Sequence, residues 1–132
     1  MDKEWGKLYA EACRLQGEKK LSKYMKVGSV AAAILTTNGN IYSGVSLANS
    51  CAVGLCAERN AIGTMLTNGE TEISRIIAVK DNGRIINPCG VCQECMCQLG
   101  AYSKNIKIMM SNHEVRTLSE LINEWWGNQS DE

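Results

Sequence analysis

Residues 28–45, GSVAAAILTTNGNIYSGV, decide the fold. Val30 to Leu35 is a run of small apolar residues. It ends at Thr37-Asn38-Gly39-Asn40, and a second β-like run follows from Ile41 to Val45. An Asn-Gly pair between two such runs predicts a hairpin, because both turn positions favour φ > 0. Upstream, Trp5, Leu8, Ala12 and Leu15 recur at helical spacing, which predicts a helix from Trp5 to about Leu21. Downstream, Ser46 to Leu55 reads as a loop. A helix is expected from Cys56 to Leu66, with Ala57, Ala61, Ile62, Met65 and Leu66 buried and Asn68-Gly69 as its stop. Ile73 to Val79 is an Ile-rich strand. Pro88 pre-sets φ for a helix from Cys89 to Leu99, closed by Gly100, and Ile106 to Met110 is a further strand. Thr117-Leu118-Ser119-Glu120 has the capping-box pattern, so a last helix should run to Trp126 with Leu118, Leu121, Ile122 and Trp125 inward. The sum is α/β: a three-layer α/β/α sandwich with a mixed central sheet.

Composition narrows the function. A length of 132 residues fits one domain, 1–132, with no need of disulfide staples. Lys+Arg and Asp+Glu balance at 14 each, which argues against a nucleic-acid polymer held by a basic face. No apolar run approaches the ~20 residues that span a bilayer, and Met1-Asp2-Lys3-Glu4 opens without an apolar signal stretch. A cytoplasmic protein without a membrane partner is expected. There is no Phe and one His, His113, so a site built on several imidazoles is excluded and His113 reads as a solvated loop residue. Seven cysteines, four of them between Cys89 and Cys97, read as a metal or redox site.

The informative residues sit at two predicted helix starts: Cys56-Ala57-Glu58-Arg59 and Pro88-Cys89-Gly90-Val91-Cys92. A Cys-x-x-Cys pair at a helix start holds two thiolates on one side of the first turn. The free N–H groups and the positive dipole end stabilise those anions. Cys56 supplies a third thiolate. Three protein ligands leave one tetrahedral position for water, the arrangement of a catalytic Zn²⁺ rather than a structural one. Glu58, two positions from Cys56, stands beside that position as a proton carrier. Arg59 offsets the net charge of about −1 left by three thiolates on a divalent ion. Cys13, Cys51, Cys95 and Cys97 read as small buried hydrophobes, with Cys51 on a loop that approaches the site.

These two motifs resemble those of the small zinc-dependent cytidine deaminases: a His or Cys two positions before Glu, then Pro-Cys-x-x-Cys, with Glu as proton shuttle. The likeness runs from Val27-Gly28 to Leu121-Ile122. It implies hydrolytic release of ammonia from a cytosine nucleoside such as cytidine or deoxycytidine, by zinc-hydroxide attack at C4. Glu58 would protonate N3 and then the amine, with Ala57 and Cys89 backbone groups near the pyrimidine. It also implies pyrimidine salvage, a small nucleoside-like substrate, and a homotetramer or homodimer with sites near subunit contacts. Trp125 and Trp126 read equally as core residues or as cover for a neighbour's pocket.

Departures fall on the substrate side. Where the family carries Gly-x-Asn-x-Glu-Asn for the ribose, this chain has Gly44-Val45-Ser46-Leu47-Ala48-Asn49. Ala48 cannot accept a bond from a sugar hydroxyl, and a site built on such a bond discriminates by up to ~10⁴–10⁵-fold. Met25 stands where an aromatic residue is usual, and Gln93-Glu94 replaces Arg-Gln. Ser46, Asn49, Ala57 and Met25 are the substrate-contact candidates. Blasticidin S deaminase, which also departs at the ribose-reading Glu, is the alternative, as is a deaminase of another amino-heterocycle. From another class, a non-catalytic zinc-stabilised interaction module would have no use for Glu58.

Overall fold

A computed structural model describes residues 1–128; positions 129–132 of the expected domain lie outside the described residues. The order is α1 (Lys3–Leu15), β1 (Lys19–Lys20), β2 (Met25–Thr36), β3 (Ile41–Asn49), α2 (Ala57–Thr67), β4 (Ile73–Lys80), β5 (Arg84–Ile85), α3 (Gly90–Cys97), β6 (Lys107–Met109), β7 (Val115–Thr117) and α4 (Leu118–Leu121). Short 3₁₀ turns occupy Ser50–Ala52, Ala101–Asn105 and Trp126–Asn128. The sheet runs β3-β2-β4-β6-β7, with β1 pairing the start of β2 and β5 pairing the end of β4. β4 and β6 are parallel and the other pairs antiparallel, so the sheet is mixed as expected.

Strand alternation builds the two outer layers. Ala33, Leu35, Ile77 and Val79 face Trp5, Leu8 and Ala12 of α1. Ala32, Ile34, Ile76 and Ala78 face the opposite way, onto Ala61, Ile62 and Met65 of α2 and Met96 of α3. Burying each large side chain contributes roughly 1.5–3 kcal/mol relative to exposing it. Arg75 ties α1 to β4: its guanidinium donates to Asp2 at 2.8 Å and Glu4 at 2.9 Å and lies 5.2 Å from the Trp5 ring centroid. Asp2 in turn caps α1 by accepting the Trp5 N–H at 2.9 Å.

Four expectations need correction. α1 stops at Leu15, not near Leu21, because the chain is diverted to β2: the Gly17 N–H donates to the Gly28 carbonyl at 2.8 Å. Gly28 sits at φ 82°, and a Cβ there would lie 2.4 Å from that Gly17 oxygen. No other residue fits. The hairpin forms, but of the Asn38-Gly39 pair only Gly39 has positive φ, at 87°. A four-residue loop closed from Thr36 N–H to the Asn40 carbonyl at 2.9 Å needs one left-handed position rather than two. Leu66 is exposed, not buried. α4 ends at Leu121 although its capping box is present; Ile122 leaves the helical region at φ −131°. The chain then turns so that the Trp125 and Trp126 indoles both donate to Glu94 at 3.0 Å, leaving Trp125 half-buried and Trp126 exposed. Strands β1, β5 and β7 are too short to leave a pattern in sequence. No helix among the described residues is long and apolar enough to cross a membrane.

Candidate metal centre and cavity

Cys56 and Cys89 are the N-cap residues of α2 and α3, both in extended backbone conformation (φ −67° and −71°). Neither side chain makes a helix-capping hydrogen bond, and the two thiols turn toward each other. Cys92, one turn into α3, is buried between them and the core. Cys56 Sγ lies 3.7 Å from Cys89 Sγ, and Cys89 Sγ lies 3.4 Å from Cys92 Sγ. All three sulfurs fall within 4.8 Å of one another. Zn–S bonds of ~2.3 Å at tetrahedral angles would set sulfurs about 3.8 Å apart, so the trio fits one zinc ion.

The electrostatics suit thiolates unevenly. For Cys89, burial pushes the thiol up, but N–H groups of Cys92 and Val91 and the neighbouring thiols outweigh it, and the pKa falls below the usual range. For Cys92, burial and then the Glu58 charge push the thiol well up, so its ionisation calls for positive charge close by. Arg59 is one source: its Nη2 lies 3.7 Å from Cys56 Sγ, and that contact holds its own pKa up against burial. Arg59 Nε is buried and has no partner among the described residues.

Glu58 is 4% exposed. Burial raises its pKa above the carboxylate norm, opposed by its own backbone N–H and by Arg59. With Cys56, Ala57, Arg59 and Cys89 it lines the metal end of a cavity of about 510 Å³. That is a volume suited to a small molecule.

The far wall is β3 and what it packs against. Ser46, Leu47, Ala48 and Asn49 line it, together with Val30 and Leu55. β2 and β3 lose register between Val27 and Ala31, and Ser46 Oγ accepts the Val30 N–H there at 3.0 Å. The supposed loop is partly strand, pinned by reciprocal Leu47–Leu55 backbone bonds of 2.9 and 3.0 Å. The cavity therefore gathers Cys56, Ala57, Glu58, Arg59, Cys89, Ser46 and Asn49, with Cys92 behind. It does not gather Met25, which pairs with Asn49 across β2 and β3 outside the lining. Cys51 is exposed at φ 63° and also outside the lining, contrary to the buried or approaching thiol expected. Cys92 and Cys97 are buried, Cys13 and Cys95 half-buried, and His113 exposed. Ile86 and Asn87 were missed; the only local signal was Pro88, which holds the preceding residue extended.

A three-thiol cluster that fits zinc, at two helix starts beside a buried carboxylate inside an α/β/α sandwich, matches the build of a zinc-dependent hydrolytic enzyme. Residues 3–110 match the model of the cytidine and deoxycytidylate deaminase zinc-binding region, and the chain belongs to that family. It is 30% identical to a cytidine deaminase of Halalkalibacterium halodurans over 97 residues, 70% of this chain and 73% of the relative. It is 38% identical to a blasticidin-S deaminase of Bacillus cereus over 74 residues, 49% of this chain and 53% of that one. The fold superposes on the crystal structure of cytidine deaminase from Mycobacterium leprae with TM-score 0.78 at 25% identity, covering 93% of this chain and 100% of that one.

Proposed function

We propose that this chain is a zinc-dependent deaminase of cytidine, deoxycytidine or a related cytosine nucleoside. The observation that carries the reading is Glu58, buried beside three clustered thiols at one end of a nucleoside-sized cavity. Cys56, Cys89 and Cys92 would hold the metal. Bound zinc supplies Lewis acidity that lowers the pKa of a water molecule toward ~7. Glu58 would take one proton from the attacking water and place it on ring N3, then take the second from the hydroxyl added at C4 and place it on the departing amine. Water adds at C4, the C4–amine bond breaks, and a carbonyl and ammonia result. Desolvation suits Glu58 to this traffic, since a raised pKa brings the carboxylate closer to neutral pH. Arg59 draws charge from Cys56 and keeps the sulfur cluster from quenching the metal's acidity.

A blasticidin-S type substrate is the second reading, favoured by Ala48 in the far wall and by the likeness to the Bacillus cereus protein. Residues 1–132 would act as one domain, supported by two helix layers sharing a single sheet. Exposed Val53 and Val91, chain neighbours of Gly54 and Cys92 at the site, favour a homotetramer or homodimer that covers the mouth. Cys13, Cys51, Cys95 and Cys97, unpaired outside the thiol trio, favour the reducing cytoplasm, and a salvage role there would follow from the deaminase reading.

The test is the loss of cytosine absorbance with cytidine, deoxycytidine and blasticidin S. Glu58→Gln should keep zinc and fold while kcat falls by ~10²–10⁴-fold, the usual worth of a positioned acid/base. A zinc-loaded Gln variant as fast as the parent would remove Glu58 from the mechanism.

A further inference from the structure

Between Glu18 and Glu58 the chain has no Asp or Glu, and its charged residues there are Lys19, Lys20, Lys23 and Lys26. In a protein with 14 cationic and 14 acidic residues, this concentrates positive charge on β1 and the start of β2. The segment is tied down at both ends. The Leu21 N–H donates to the Met25 carbonyl at 2.9 Å, closing the β1–β2 turn, and the Gln16 amide donates to the Ser29 carbonyl at 3.1 Å. Register then places the charge. Ala48 lines the cavity; its partner on β2 is Lys26, and the partner of Lys26 on β1 is Lys20. Directly paired residues project from one face of a sheet, so Ala48, Lys26 and Lys20 form a row leading away from the cavity wall. At the ~4.8 Å spacing of strands, Lys26 stands one strand beyond that wall and Lys20 two. Both lysines are exposed and outside the lining itself, and neither makes an ion pair among the described residues. Like charges directly opposite destabilise a sheet. An anion bridging the two ammonium groups would offset that repulsion with charge-assisted bonds.

We propose that Lys26 and Lys20 are specificity-determining residues, a cationic rim that receives an anionic group carried on the N1 substituent of a cytosine substrate. Phosphate and carboxylate share the chemistry that such a rim recognises. This rests on the deaminase reading, with the pyrimidine at the metal end and the substituent running past Ala48.

The experiment measures kcat/KM of the zinc-loaded protein at low ionic strength in two sets. One is 2′-deoxycytidine with its 3′- and 5′-monophosphates, the other 1-methylcytosine with 1-carboxymethylcytosine. At least one anionic compound should exceed its neutral counterpart by about 10-fold, and the set showing the gain tells phosphate from carboxylate. Raising ionic strength to about 1 M, where the Debye length is ~3 Å, should shrink the ratio. Lys26→Glu turns the like-charged pair into one of opposite charge, which favours the sheet, and should lower the ratio by about 10-fold or more. Lys20→Gln should lower it by a smaller factor. Deamination of the neutral compounds with no preference for an anionic one overturns the inference and leaves the deaminase reading standing. Deamination of none of the five overturns both. A preference undiminished in Lys26→Glu would take the anion away from this row and overturn the assignment.

Discussion

At one end of the cavity, Cys56 and Cys89 each cap a helix, and one turn of α3 brings Cys92 beside them. At the other end, Ser46 to Asn49 lie on an edge strand whose shape depends on a bulge 16 residues upstream. The first end is short-range geometry: once α2 and α3 form, the thiols converge and the helix-start N–H groups favour their anions. The second is held by contacts between distant segments, the Val30–Ser46 bond and the Leu47–Leu55 bridge. The difference teaches that clustering the thiols and shaping the far wall of the cavity are separable tasks in this fold. Substitutions should therefore break one and spare the other.

The largest effect is expected at the metal end. Cys92→Ala removes a buried sulfur from the trio. Zinc affinity should fall by more than the ~10–100-fold that loss of a ligand's outer partner typically costs. Metal analysis after dialysis against a chelator checks this, and deaminase activity should fall with the metal. If Cys92→Ala keeps a full equivalent of zinc, the three-thiol centre is wrong.

A smaller effect, of the opposite kind, is expected at the far wall. Ser46→Ala leaves the Val30 N–H without its acceptor at a half-buried bulge, which costs about 1–3 kcal/mol of stability. Thermal or urea unfolding should record the loss, Ser46→Thr should recover much of it, and zinc content should not change. Metal loss in Ser46→Ala would show that the two ends are coupled after all.

The same division explains what was legible in the sequence. The thiol trio, Glu58 and the α2 and α3 starts follow from local spacing, and the hairpin follows from Asn38-Gly39. The end of α1 was not legible, because it is set by Gly17 meeting Gly28, a partner outside the segment. The end of α4 escaped for a similar reason: its capping box is local, but Glu94 on α3 gathers both indoles and turns the chain away. Met25 was assigned to the cavity from its place in the sequence, whereas β-pairing puts it opposite Asn49 outside the lining.

The smallest effect concerns a long-range lock remote from both ends. Glu70, after α2, accepts bonds from Tyr42 Oη at 2.7 Å, Asn40 at 2.8 Å and Asn38 at 3.1 Å, fastening the hairpin tip. Those donors, Tyr42 foremost, favour the carboxylate and hold its pKa at about 2 against an ordinary 4.5. A pKa lowered by folding means that the unfolded chain takes up the proton first. The stabilisation is therefore complete above about pH 4.5 and disappears as pH falls toward 2. Glu70 is only half-buried, so screening by water keeps the effect to a few degrees in Tm at most. Glu70→Gln should melt below the parent at neutral pH, with the gap closing across that acid window. A gap that persists at the acid end would mean the lock depends on shape at the hairpin tip and not on the carboxylate charge.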